Sequence, residues 1–136
     1  MLSIIKYVLL LFLTALSIVL YAQTNLDEIF EDASNLPTAE QPAFLNKSAE
    51  IFFQKNLKFA DSLCSKALEI AIEINIEELI AQSHKYLSFI KRNMGYNSEA
   101  LTNAIESNNL YVKLNDSLEV GFTYNLIGSI YTNLGD

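Results

Sequence analysis

Apolar positions recur along most of the chain at spacings of three and four residues, which is the period of an amphipathic α-helix. Alternation of apolar and polar residues typical of strands is sustained nowhere. The pattern therefore predicts an all-α protein. Its three clearest stripes lie within 57–74, 79–94 and 100–114 and consist of Ala60, Leu63, Cys64, Ala67, Ala71 and Ile74, then Leu79, Ile80, Ser83, Leu87, Ile90 and Met94, then Ala100, Leu101, Ala104, Ile105, Leu110 and Leu114.

Short polar joints mark where these helices begin and end. Asn25, Asn75 and Asp116 each stand three residues before a Glu, the arrangement of an N-terminal capping box. Gly95 and Gly135 follow stripes at the place where a left-handed residue ends a helix, and Asn56 takes that place in the first unit. Joints this short force neighbouring helices to run antiparallel. The predicted helices are 25–34, 40–54, 57–74, 77–94, 97–114 and 117–134.

The chain also repeats itself. Gly95 and Gly135 lie 40 positions apart, and physically similar residues recur at the same offset. Small residues match small ones, and large apolar residues match large ones. The matching pairs include Ala60 with Ala100, Cys64 with Ala104, Asn75 with Asn115, Leu87 with Ile127, and Ile90 with Ile130. A fixed offset of this kind predicts repeated helix hairpins.

Residues 124–131, Tyr-Asn-Leu-Ile-Gly-Ser-Ile-Tyr, resemble the first helix of a tetratricopeptide repeat. That motif reads aromatic, two residues, large apolar, glycine, two residues, tyrosine. The likeness extends over 40–136, although the unit here is longer than the family's repeat of about 34 residues. It implies an α-solenoid of antiparallel hairpins with units at 41–80 and 81–120 and a truncated one at 121–136, preceded by an N-terminal helix and linker at 23–39.

The first 22 residues have a different character. Lys6 is followed by an apolar run from Tyr7 to Leu20 and by the small residue Ala22, which together are typical of a secretory signal peptide. A retained membrane anchor and a buried core helix are the alternatives. We expect the rest of the chain to be exported, either periplasmic or attached to the membrane and facing the periplasm.

Composition excludes several classes of function. The chain has 16 acidic and 9 basic residues, so its net charge of -7 argues against binding to nucleic acid. A single cysteine excludes an intrachain disulfide framework. We expect Cys64 to be a buried small side chain and His84 to have a packing role. Neither catalytic, metal nor cofactor chemistry is expected within these residues.

Stacked hairpins form a superhelix whose concave face is lined by the first helix of each pair. We expect a partner to contact residues of that face outside the apolar stripes. Two of them, Lys85 and Arg92, place positive charge in an acidic protein and suit a carboxylate or an acidic peptide. Solvated surface is the alternative reading. The full set is Lys85, Phe89, Arg92, Asn93, Asn125, Ser129, Thr132 and Asn133.

Helix 117–134 carries more apolar surface than the preceding hairpin alone can cover. We therefore expect the sequence to stop within a repeat as the front of a longer protein, or this face to dock on another subunit. Bacterial proteins with a signal peptide, divergent repeats of this kind and a later membrane span resemble envelope sensors, which carry a kinase or DNA-binding module downstream. The chain is thus expected to be a non-catalytic scaffold that binds a protein or peptide, as the extracytoplasmic sensory or interaction region of a signalling protein. The alternatives are a stand-alone envelope adaptor or assembly scaffold, and an enzyme whose catalytic module lies beyond residue 136.

Overall fold

A computed structural model describes residues 26–135, and all regular secondary structure in this range is α-helical. This confirms the all-α prediction, and the helix bounds agree with the predicted ones to within two residues. The predicted signal peptide at 1–22 and the predicted cap Asn25 lie outside the described residues. The helices are 26–34 (α1), Gln41–Phe52 (α2), Leu57–Glu73 (α3), Glu77–Asn93 (α4), Asn97–Lys113 (α5) and Ser117–Leu134 (α6).

A left-handed residue ends each of the last four helices. Asn75, Gly95, Asn115 and Gly135 have φ angles of 54°, 82°, 57° and 91° and follow one another every 20 positions. After α3, α4 and α5, the next backbone N–H reaches back to the carbonyl five residues earlier, over 3.3, 2.8 and 3.0 Å. This is the Schellman arrangement, which satisfies carbonyls that the helix leaves unpaired. The same reversal therefore follows three successive helices of equal length.

Two predicted caps have exchanged roles. Asn75, predicted to begin α4, is instead the left-handed residue after α3. Asn56, predicted to be left-handed, has φ of -156° and accepts a hydrogen bond from the first turn of α3 over 3.1 Å. Asp116 begins α6 as predicted, accepting from the Glu119 N–H at 3.1 Å. Asparagine suits both roles, because its side chain is a good acceptor and its backbone tolerates positive φ.

Consecutive helices from α2 to α6 pack against each other, and α4 additionally contacts both α2 and α6. The larger of two buried clusters includes Leu63 and the small residues Ala60, Cys64 and Ala67 of α3, all of which are fully buried. The smaller cluster joins α5 to α6 through Ala100, Ala104 and Ile130. Small side chains on α3 and α5 let the neighbouring helices approach closely.

The predicted apolar stripe of α5 is partly wrong. Ile105 and Leu114 are 40% and 39% exposed, whereas Ser107, Asn108 and Tyr111 are buried. The Ser107 hydroxyl donates to the Ala81 carbonyl over 2.8 Å, and Asn108 accepts from Thr123, also over 2.8 Å. Hydropathy misses this stripe because its polar side chains are buried with their hydrogen bonds made.

The chain's single cysteine and single histidine lie where packing was expected. Cys64 is fully buried on the α3 stripe, and burial, reinforced by Asp61 and Glu50, raises the pKa of its thiol far above the ordinary value. His84 is half-buried on α4, with Nδ1 2.8 Å from the Asn103 Oδ1. Because the Asn103 amide already donates to Glu99, that oxygen accepts and the histidine Nδ1 carries the proton.

Candidate functional site: the groove between α4 and α6

An apolar groove opens between α4 and α6, close to the end of α2. It encloses a cavity of about 340 Å³. On α4 Lys85 and Tyr86 lie four and three residues before Phe89, and on α6 the lining residues also lie three and four apart, so that each set shares one helix face. We call this surface the groove and define it by Phe53, Lys85, Tyr86, Phe89, Glu119, Phe122 and Leu126.

Aromatic rings form most of its wall. The Phe53 ring centroid lies 5.2 Å from that of Phe89 and 5.9 Å from that of Tyr86, within the usual range of aromatic pairs. Phe89 and Phe122 remain 36% and 54% exposed. Two large rings are thus held in place by their helices while much of their surface faces solvent.

Tyr86 ties the groove to α2. Its hydroxyl donates a hydrogen bond to the Glu50 carboxylate. Burial, followed by this bond and the negative charge of Glu50, raises the pKa of the phenol above its ordinary value of 10.0. The hydroxyl therefore stays protonated at neutral pH and continues to donate.

An ion pair crosses the groove. The Lys85 Nζ lies 2.6 Å from the Glu119 Oε2, and the two side chains are 25% and 24% exposed. The same ammonium is 5.8 Å from the ring centroids of both Tyr86 and Tyr111, a cation–π geometry. The positive charge predicted for partner binding at this position is therefore already met by a carboxylate on α6.

Arg92 forms a second link between α4 and α6. Its Nη1 donates to the Ser129 hydroxyl over 2.6 Å, and its guanidinium carbon lies 5.1 Å from the Phe89 ring centroid. In residues 26–135 no carboxylate lies within ion-pair distance of Arg92. Among these residues its charge thus has no carboxylate partner, and it lies beside an exposed aromatic ring.

Phe53 and Phe89 also line a second cavity, of about 620 Å³. The polar lining here comes from the end of α2, from the turn that follows it and from Asn93 on α4. Phe89 therefore belongs to both cavities and lies at the centre of the candidate site. The other lining residues of the second cavity are Glu50, Ile51, Gln54, Lys55 and Asn93.

The structure brings together five of the eight residues predicted to contact a partner. Lys85 and Phe89 line the groove, Asn93 lines the second cavity, and Arg92 and Ser129 bond to each other beside them. The other three, Asn125, Thr132 and Asn133, are exposed residues of α6 that line neither cavity. All eight remain predicted contacts.

Sequence reasoning missed most of the groove wall, namely Phe53, Tyr86, Glu119, Phe122 and Leu126. Phe53 lies inside the predicted helix 40–54, although α2 ends one residue before it. Phe122 and Leu126 belong to the apolar surface of helix 117–134 that the preceding hairpin alone cannot cover. The sequence does contain a signal for these groove residues, because the helices carry more aromatic residues than their apolar stripes need.

Within residues 26–135, no group of three or more His, Cys, Asp or Glu side chains is placed to hold a metal ion. Over the same range, none of the helices combines the length and hydropathy needed to cross a membrane. Comparison with protein-family models, with curated proteins and with solved structures gives no significant match for this chain.

Proposed function

We propose that this chain is a non-catalytic, tetratricopeptide-like solenoid of helix hairpins whose groove binds a protein or a peptide. The observation that carries the proposal is the groove itself. In it, the exposed rings of Phe89 and Phe122 lie around the Lys85–Glu119 ion pair, whose two charges neutralise each other. Exposed aromatic surface in a concavity is typical of sites that anchor a side chain of a partner.

Two contacts between α4 and α6 support a groove that already has its binding shape in the absence of a partner. The Lys85–Glu119 pair and the Arg92–Ser129 hydrogen bond both join the helices that form its walls. A site already held in its binding shape loses little conformational entropy on association. Since the Lys85 charge is met by Glu119, apolar contact at Phe89 and Phe122 is the main proposed source of affinity. Arg92 is the remaining candidate for a partner carboxylate.

We further propose that the groove works outside the cytoplasm, in an envelope sensor or, alternatively, in an adaptor. This rests on the signal-like pattern of residues 1–22. Mass spectrometry of the protein purified from its cells tests export, with Gln23 expected as the new N-terminus. An intact Met1 contradicts cleavage and leaves the retained anchor and the buried core helix as the alternatives.

The groove is tested by selecting a random peptide library displayed on phage against the full chain. Enriched clones are then assayed on Phe89→Ser and on the matched control Ile105→Ser. The two side chains are 36% and 40% exposed, but Ile105 lies on α5 and lines neither cavity. We expect binding to fall about tenfold or more in Phe89→Ser, which corresponds to at least about 1.4 kcal/mol, and to persist in Ile105→Ser.

Enriched clones that bind both variants equally would contradict the groove as the binding site. Failure of the library to enrich at all would contradict peptide binding by this chain. Circular dichroism of both variants establishes that the helical fold is retained.

A further inference from the structure

A third cavity, of about 430 Å³, opens beside the first turn of α3. It shares Phe53, Gln54 and Lys55 with the second cavity. The second cavity in turn shares Phe53 and Phe89 with the groove. The three concavities therefore form one continuous surface around the Phe53 ring. The full lining of the third cavity is Phe53, Gln54, Lys55, Asn56, Leu57, Lys58, Met94 and Tyr96.

Charge changes along this surface. In the groove, the charges of Lys85 and Glu119 neutralise each other. The second cavity has one acidic and one basic lining residue, Glu50 and Lys55. The third cavity is lined by Lys55 and Lys58 and by no acidic residue of the described range. The surface is thus neutral at the groove and positive at the third cavity.

The two lysines of the third cavity are available to a partner. Both side chains are exposed, and no carboxylate within residues 26–135 lies at ion-pair distance from either. Arg92, beside Phe89, is the third basic residue near this surface without a carboxylate partner in that range. The fourth, Lys47 on α2, lines none of the three cavities. Unpaired positive charge is therefore concentrated along one surface of an acidic protein.

Two further features of the third cavity favour an anion. Leu57 and Lys58 are the first two residues of α3, and the N-terminus of a helix carries partial positive charge. Tyr96, which is 48% exposed, adds a phenol that can donate a hydrogen bond to a carboxylate. Together with the two ammonium groups, these features suit the side chains of Asp and Glu.

We propose that the partner is an acidic peptide segment that binds along this continuous surface. An apolar side chain of the segment occupies the groove at Phe89 and Phe122, and Asp or Glu residues a few positions away lie in the third cavity at Lys55 and Lys58. Charge complementarity identifies the occupant, because the two lysines repel a basic segment and attract an acidic one. This inference rests on the proposed function, since it uses the groove as the apolar anchor site.

The probes are fluorescein-labelled synthetic peptides in two matched series. Each peptide has a Leu-Phe pair, a Gly-Ser spacer of zero, two, four or six residues, and three glutamates in one series or three glutamines in the other. Every peptide is made in both chain directions. An extended residue spans about 3.3 Å, so the spacers cover separations up to about 20 Å.

Fluorescence anisotropy measures binding of each peptide to the full chain and to three variants. Phe89→Ser tests the groove, and Lys55→Gln/Lys58→Gln tests the third cavity. The matched control is Lys47→Gln/Lys66→Gln, which removes the same charge at positions that line none of the three cavities. Circular dichroism establishes that each variant retains the helical fold.

We expect the glutamate peptides of at least one spacer length to bind the wild type about fivefold or more tightly than their glutamine partners in about 0.05 M NaCl. Lys55→Gln/Lys58→Gln should abolish this advantage, and the control variant should retain it. Phe89→Ser should weaken both series. Raising NaCl to about 0.5 M should shrink the advantage, because salt screens exposed charges.

Three results overturn the inference. If both series bind equally and both depend on Phe89, the groove remains a binding site but its partner is not acidic. If the glutamate advantage persists in Lys55→Gln/Lys58→Gln, or is lost equally in the control variant, the third cavity is not where the acidic residues bind. If neither series binds, this inference fails, and the phage selection decides separately whether the groove binds peptides.

Discussion

Helices α4 and α6 begin 40 positions apart in the chain, at Glu77 and Ser117, yet they differ in how much of their surface is covered. The inner positions agree, because Ser83 and Ile90 on α4 and their counterparts Thr123 and Ile130 on α6 are all fully buried. The outer positions differ, since α5 covers Ala81 and Ser88 whereas Gly121 and Gly128 face solvent. The repeat in the sequence therefore determines where the helix lies and which positions form its buried inner face. Burial of the outer positions depends on the neighbouring helices.

The largest effects on the free energy of unfolding are expected from substitutions in the two buried clusters. Leu63→Ala removes a fully buried side chain from the larger cluster, and we expect it to lower the free energy of unfolding by about 3–5 kcal/mol. Ile130→Ala, in the smaller cluster beside the open face, should cost about 2–3 kcal/mol because its surroundings can relax into the space. Urea denaturation of both variants measures the difference. Equal costs would show that the open side of α6 is as tightly packed as the covered core.

An intermediate effect is expected at Lys91, whose counterpart on α6 is Tyr131. Lys91 is 18% exposed and bonds Asp61 at 3.0 Å, with Glu99 at 3.4 Å. Lys91→Met leaves the Asp61 carboxylate without its cation and should cost about 1–3 kcal/mol. The matched Tyr131→Met removes an exposed side chain and should change stability by less than about 0.5 kcal/mol.

The Lys91 contribution should also depend on pH. Burial lowers the pKa of this ammonium, but the hydrogen bonds and charges of Asp61 and Glu99 outweigh that effect and raise it above the ordinary 10.5. A pKa raised by folding gives stability that is complete below the unfolded value and is lost as the pH rises through the folded value. The difference between wild type and Lys91→Met should therefore shrink above pH 10.5. A constant difference across that range would contradict the ion pair as its source.

The smallest expected effect is a gain in stability. Gly121→Ala and Gly128→Ala should each raise the free energy of unfolding by about 0.5–1 kcal/mol, because the added methyl group meets no atom and the unfolded chain loses freedom. The reverse change on α4, Ala81→Gly, should destabilise by at least as much. Thermal melts suffice for this comparison. Destabilisation by either alanine would mean that the glycine surface is covered in solution.

The bounds of the helices followed from the sequence because caps, joints and periodicity are local signals. These local signals fail at Asn56 and Asn75, because asparagine suits both the first and the last cap of a helix. They also fail at Ser107, which is buried only because a carbonyl of α4 accepts its hydroxyl. The groove could not be predicted from the sequence for a related reason. Its central ion pair joins positions 85 and 119, and nothing in either local pattern specifies that contact.

The regular spacing of the left-handed turns has a consequence for how the chain acquires its fold. Within residues 26–135, even the side-chain hydrogen bonds that span the longest stretch of chain, Asn46 with Ser83 and Arg92 with Ser129, join residues only 37 positions apart. Contacts this local shorten the loops that must close, so we expect rapid folding on the microsecond-to-millisecond scale of helical domains. Each hairpin can begin to form as soon as it leaves the ribosome, and the order of synthesis then becomes the order of assembly.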